Sequence, residues 1–192
     1  MAYSDFLPCI KCIAGGVVVA ALAGVGFLYS GLYPMGTDDQ HNDLTYWALE
    51  TLRERSIARA ANDIEVPTDL DLPERLLSGG ADYNDMCASC HLKPGKTESD
   101  FSIGLYPSPP NLTLTPDEHG NGGDSETDRG SLRRQFWIIN HGIKASGMPA
   151  WGPNHSDERI WNMVAFLQRL PSLTEAQYQI LTARGEEGSV HH

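Results

Sequence analysis

Cys87, Cys90 and His91 hold the densest chemistry of the chain, in the run Cys87-Ala88-Ser89-Cys90-His91. Two cysteines separated by two residues, with a histidine directly after, form the C-x-x-C-H haem attachment pattern. Each thiol can add to one vinyl group of a porphyrin and become a thioether. The adjacent imidazole can give a nitrogen to the iron. A redox C-x-x-C followed by any residue would share the cysteines, so the second ligand separates the two readings. Downstream lies Gly142-Ile143-Lys144-Ala145-Ser146-Gly147-Met148-Pro149-Ala150-Trp151-Gly152. A methionine in a loop bounded by glycine and proline is poorly placed for gap-filling in a core. It is well placed to present a thioether sulfur to a metal. His/Met ligation raises the haem potential and fills both axial positions. The expected cofactor is therefore one covalent haem c, attached through Cys87 and Cys90, with His91 and Met148 as the metal ligands. Met163 falls in a helical pattern with Ile160, Val164 and Leu167 and reads as core. His141, at the end of a helix around Trp137–Asn140, is the competing ligand, while His119 and His155 sit in polar loops.

These residues need helices to position them. A helical stretch leads into the motif, and a long loop, a short helix, the methionine loop and a C-terminal helical pattern from Ser156 to Leu170, stopped by Pro171, follow. In this order the chain resembles the class I c-type cytochromes, small all-α monohaem electron carriers. The resemblance spans about Pro73 to Leu181. It is carried by Gly80-Ala81-Asp82-Tyr83 ahead of the motif, by Gly104-Leu105-Tyr106-Pro107-Ser108-Pro109-Pro110-Asn111-Leu112, by Gly147-Met148-Pro149-Ala150-Trp151-Gly152, and by Ile160-Trp161 to Phe166-Leu167. Together these look similar to the membrane-anchored cytochromes c of bacterial respiratory chains. The resemblance implies a haem crevice with one exposed edge. It also implies that the Pro94 carbonyl accepts a hydrogen bond from the free ring nitrogen of His91, which would fix the imidazole. Two departures stand out: Leu92, where the family often has glycine, and an insertion-like loop before Trp137.

Ahead of this domain, Ile13 to Tyr33 is apolar apart from Ser30. At ~1.5 Å per residue it is long enough for the ~30 Å hydrocarbon core of a bilayer. Lys11 on one side and Asp38 and Asp39 on the other favour a cytoplasmic N-terminus (residues 1–12) and a periplasmic domain. A cleaved signal peptide with Ala21-Leu22-Ala23 at its cut site is the competing reading, but the apolar run continues past Ala23, so an uncleaved single-pass anchor is expected. Gly16, Ala20 and Gly24 form a small-residue stripe that admits a transmembrane helix partner, although such residues are ordinary in any Gly/Ala-rich anchor. Cys9 and Cys12 form a second C-x-x-C, which Ile13 rather than histidine follows, so it is no haem site.

Residues 34–72 read as a helical spacer and linker, helical from Asp43 to Ala61 and extended over Glu65 to Pro73. Residues 73–185 read as the cytochrome c domain and 186–192 as a flexible tail. Asp117 to Asp128 faintly follows calcium-loop spacing, but His119 and a final Asp break the pattern, leaving a solvated acidic loop. The net charge is −11, and residues 1–33 contribute one acid, Asp5, and one base, Lys11, which cancel. An acidic domain is unsuited to nucleic acid and can steer a basic partner. Two function classes follow. One is a tethered one-electron carrier between a quinol-oxidising complex or soluble cytochrome and a terminal oxidase or reductase, as free relay or complex subunit, with membrane-bound redox partners and no bond-making chemistry. The other is a gas sensor or peroxidase with an open or labile sixth position, which would want an acid–base residue such as His141 near the iron.

Overall fold

The computed structural model describes residues 6–115 and 128–183. The acidic loop from Asp117, His119 and the tail lie outside the described residues. Among those described, every regular element is helical. The chain divides into two compact units, one up to Asp39 and one from Gln40 onward.

The first unit holds α1, Phe6–Ser30. Its stretch Lys11–Ser30 is long and apolar enough to cross a membrane by length and composition. The expected span ran on to Tyr33, but the helix stops at Ser30. The Ser30 hydroxyl donates back to the Phe27 carbonyl (2.6 Å), and Gly31 takes the left-handed φ of +66° that ends helices.

The second unit opens with α2, Asp43–Ala61, whose N-cap Asn42 accepts from the Thr45 N–H at 3.0 Å. The sequence reads this segment as a spacer, yet it is built into the unit. Ile57 and Ala61 are buried. Glu54 pairs with Arg134 at 2.7 Å, and Arg133 donates to the Asn62 carbonyl at 2.7 Å, both from α6, Asp128–His141. The following linker is not a free tether either. Ile64, Val66 and Leu70 pack on the main core cluster, and Asp69 pairs with Arg75 at 2.9 Å. Three apolar side chains, two and four residues apart and too few to read as periodic, draw the segment down.

Next come α3 (Pro73–Met86), α4 (Ala88–His91) and α5 (Asp100–Gly104), then α6, α7 (Asp157–Leu167) and α8 (Glu175–Thr182). The C-terminal pattern is shorter than expected: α7 is N-capped by Ser156, and Pro171 lies in a short 3₁₀ turn, Leu170–Ser172. The frame is the crossing of α3 and α7. A Cβ on Gly79 would lie 1.9 Å from the Asn162 carbonyl oxygen, and one on Gly80 2.9 Å from the Phe166 ring. Only glycine lets the backbones approach this closely. Beside the crossing, Arg159 of α7 grips the buried Asp82 of α3 with two hydrogen bonds, Nε at 2.6 Å and Nη2 at 2.8 Å. One core cluster joins Leu132, Phe136 and Ile139 of α6 to Ile160, Trp161, Met163 and Val164 of α7. Phe136 and Trp161 stack there with centroids 4.3 Å apart. A second cluster joins Tyr83, Phe166, Leu170 and Tyr178.

Candidate haem site

The attachment motif is an extension of α3. The Cys87 N–H donates to the Tyr83 carbonyl (2.9 Å), and the Cys87 carbonyl accepts from Cys90 (3.1 Å) and His91 (2.8 Å). Residues three and four apart on a helix share a face. Both thiols and the imidazole therefore lie on one side of this turn. Cys87 packs against both core clusters. Burial pushes its thiol up to about 12, with the Asp82 carboxylate and Cys90 adding to the effect, so it stays a thiol before any attachment.

The turn ends at Leu92, where φ is 68° and ψ 180°, a conformation that favours glycine. Two features hold leucine there. Its side chain is buried, and the Tyr83 hydroxyl sits 2.7 Å from the Leu92 carbonyl and 3.2 Å from that of His91. Tyr83 thus clamps the backbone of the motif from α3.

The His91 ring departs from expectation. Its Nδ1 lies 2.9 Å from the carbonyl oxygen of Pro110, not of Pro94. The sharp turn at Leu92 carries the chain away from the ring, and residues 93–96 close a turn of their own through Lys96 N–H to the Lys93 carbonyl (3.0 Å). Meanwhile the Leu112 N–H bonds the His91 carbonyl (3.2 Å), which lays Pro110 alongside the imidazole. A carbonyl only accepts, so Nδ1 carries the proton and Nε2 keeps its lone pair. Burial holds the ring below the usual histidine range, opposed by the Pro110 hydrogen bond, and favours the neutral form.

Met148 follows α6 in a tightly pinned loop. Gly142 ends the helix at φ +65°, and a Cβ there would lie 2.7 Å from the Met148 carbonyl oxygen. The Ile143 N–H bonds that carbonyl (3.1 Å). The Met148 N–H donates to Ser146 Oγ (3.1 Å), and that hydroxyl donates to the Ile143 carbonyl (2.8 Å). Beyond it, Trp151 and Gly152 N–H groups return to the Ile139 and Asn140 carbonyls at 3.0 and 2.9 Å. The Met148 side chain packs on the same core cluster as Cys87. Leu105, from the loop that carries Pro110, lies against Gly147, 2.6 Å from where its Cβ would be. The loop that orients His91 and the loop that holds Met148 therefore touch.

The other candidates are engaged differently. His141 is exposed and stacked on Trp137, with centroids 4.7 Å apart and Nδ1 3.1 Å from the Trp137 carbonyl oxygen. His155 lies 3.2 Å from the Trp151 carbonyl oxygen. Met163 is buried in the core.

Residues 74–167 match the family model described as cytochrome C oxidase, cbb3-type, subunit III. These residues form a c-type cytochrome domain. Its all-α frame is the class I c-type fold, and it carries covalently bound haem c. A domain of this kind serves electron transfer, as a carrier or as a subunit of an oxidase. No curated protein and no solved structure matches the chain.

The donor set of the cytochrome domain fits this cofactor. Among the described residues no group of three or more His, Cys, Asp and Glu could hold a bare metal ion. A lone imidazole and a lone thioether bind iron well only when four equatorial donors arrive with it, as a porphyrin supplies them. The residue that sequence reasoning missed is Pro110. It lay within the Pro-rich run Ser108-Pro109-Pro110-Asn111, but no spacing rule says where such a loop returns.

Proposed function

We propose that the cytochrome domain binds one haem through Cys87 and Cys90, ligates its iron with His91 Nε2 and Met148 Sδ, and works as a one-electron carrier. The observation that carries this reading is the His91 ring: Nδ1 is committed to the Pro110 carbonyl at 2.9 Å, which leaves Nε2 available on the face that bears both thiols. Met148, in its pinned loop, supplies a soft sixth donor, and a filled sixth position favours outer-sphere electron exchange over ligand chemistry. When bound, the haem supplies the ferrous/ferric couple. His91 and Met148 would hold the iron, and the Pro110 carbonyl keeps the imidazole in one tautomer. A peroxidase would want an acid–base side chain over the iron, and His141 is instead turned onto Trp137.

In this reading α1 is an uncleaved anchor, the domain lies on the periplasmic side of a bacterial cytoplasmic membrane, and electrons pass from a quinol-oxidising complex or soluble cytochrome to a terminal oxidase or reductase. The family match to an oxidase subunit supports the acceptor being an oxidase, with this chain as relay or fixed subunit. Mild-detergent purification should bring such a complex down with the chain.

Substitution at position 148 tests the ligand pair. Met148→His should keep a low-spin six-coordinate spectrum and lower the midpoint potential, because thioether favours ferrous iron more than imidazole does. Met148→Ala should let the ferrous protein bind carbon monoxide. Wild-type spectra and potential in both variants would remove Met148 as ligand.

A further inference from the structure

Among the described residues, Asp82 is the one charged residue that is buried. It lies on α3 against α7 and accepts two hydrogen bonds from Arg159, from Nε at 2.6 Å and from Nη2 at 2.8 Å. The pair is lopsided. The Asp82 side chain is 6% exposed and the Arg159 side chain 38%. Water therefore screens the guanidinium far more than the carboxylate. Toward the core, the pair is a dipole with its negative end inward. Stability alone does not call for it, because apolar side chains of similar volume often replace a buried ion pair without loss. Five residues beyond Asp82 stands Cys87. At ~1.5 Å per residue the two are about 7.5 Å apart along the helix axis. The Cys87 N–H still bonds the Tyr83 carbonyl at 2.9 Å, so helical geometry holds to that point. The sulfur feels the carboxylate: after burial itself, Asp82 is the largest influence that raises the Cys87 thiol.

We propose that the Asp82–Arg159 pair sets the potential of the haem attached at Cys87 and Cys90, with the buried Asp82 carboxylate holding it down. This deepens the electron-carrier reading and rests on covalent haem at those two cysteines. Ferric iron carries one more positive charge than ferrous iron, so a nearby negative charge favours the ferric state. Thioether ligation acts in the opposite direction. The pair thus offsets part of what Met148 raises, and it does so from a position that salt screens little. The exposed carboxylates of the same two helices, Asp85 on α3 and Asp157 and Glu158 on α7, lie in water and contribute far less. Arg159 has two tasks in this arrangement. It keeps the carboxylate ionised inside the crossing, and it leaves its own charge at the surface.

Redox titration of the full-length holoprotein in detergent tests this, with two charge variants and one control. Asp82→Asn keeps the shape and an acceptor for Arg159. The double change Asp82→Leu with Arg159→Met replaces the pair by apolar side chains and removes both charges together. Gly79→Ala disturbs the same crossing without touching a charge. Poised at the wild-type midpoint, both charge variants should show a ferrous-to-ferric ratio raised severalfold, the double variant by less. The rise should persist at high salt, and Gly79→Ala should not show it. A wild-type ratio in either charge variant would overturn the proposal. So would a rise in Asp82→Asn that vanishes at high salt, which would assign it to the freed Arg159 at the surface. An equal rise in Gly79→Ala would assign it to a loosened crossing and overturn the proposal as well. Loss of covalent haem from both charge variants, with Gly79→Ala retaining it, would make the pair a folding device only. A wild-type chain with no covalent haem on a stained gel would instead show that the haem reading had failed, and the proposal would fall with it.

Discussion

At the scale of single residues, the site depends on backbone clamps as much as on its donors. Tyr83 is almost wholly buried, and burial raises its hydroxyl far above the usual phenol range, with Cys87 and then Tyr178 adding. It remains a donor at any physiological pH. Tyr83→Phe keeps the ring that packs against Phe166, 5.4 Å away between centroids, and removes only the hydroxyl. The buried Leu92 carbonyl then loses its partner, at a cost of about 1–3 kcal/mol. The strained Leu92 backbone loses its restraint as well. The expected outcome is a lower thermal midpoint with haem still covalently attached, read by calorimetry and a haem-stained gel. The proposed donors are a reading of pattern alone: C-x-x-C-H can be read without any fold, and so can a methionine between glycine and proline. The carbonyl that orients His91 could not be read so. Pro94 was expected because it is near in sequence, whereas Pro110 is near in space, brought there by the bend at Leu92 and the Leu112–His91 hydrogen bond. Side chain to backbone contacts across loops leave no periodic trace.

At the scale of elements, two contacts carry the domain. The first is the α3–α7 crossing. Gly79→Ala would place a methyl against the Asn162 carbonyl, which is backbone and cannot swing aside. Separating the helices should cost about 3 kcal/mol, at the upper end of ordinary overpacking, and denaturant titration should show the loss as a lower midpoint. The second is the seam between α2 and α6. Burial alone would raise the Glu54 carboxyl. Hydrogen bonds and charge from Arg134, and then from Arg53, outweigh it and hold it below its ordinary value. A carboxyl lowered on folding contributes stability that is fully present above its unfolded pKa and is lost as pH falls through the folded one. Thermal midpoints of wild type and Glu54→Gln should therefore differ above roughly pH 5 and converge as pH falls through the lowered folded-state value. A difference that persists once the carboxyl is protonated would assign the effect to packing instead of charge. The helices of this seam show how far pattern reading goes. The bounds of α2 were legible from Leu44, Trp47, Leu52 and Ile57. Its packing was not, because its apolar residues ring the helix and one sequence cannot say which of them α6 covers. The linker was read as extended because of its prolines, yet Ile64, Val66 and Leu70 hold it against the core.

At the scale of the whole molecule, the charge and the proposed anchor would act on the same quantity, the rate at which the haem meets its partner. A net charge of −11 can draw a basic partner and orient it during approach. An anchor acts differently, replacing bulk diffusion by a high effective concentration at the membrane. The two are separable because only the first responds to salt. Gln40 begins a compact unit distinct from α1, so removing residues 1–33 behind a cleavable export signal should leave the haem spectrum and midpoint potential unchanged. The shortened protein should then reduce its membrane partner more slowly, and excess protein should restore part of the rate. Its bimolecular rate, followed by stopped flow, should fall steeply as ionic strength rises, since exposed charges are screened over about 8 Å near physiological salt and about 3 Å at 1 M. The anchored protein should show a weaker dependence, because its encounter is already confined. A shortened protein whose rate ignores salt would remove charge steering and leave confinement as the sole source of speed. Equal rates with and without the anchor, at every concentration, would remove confinement instead.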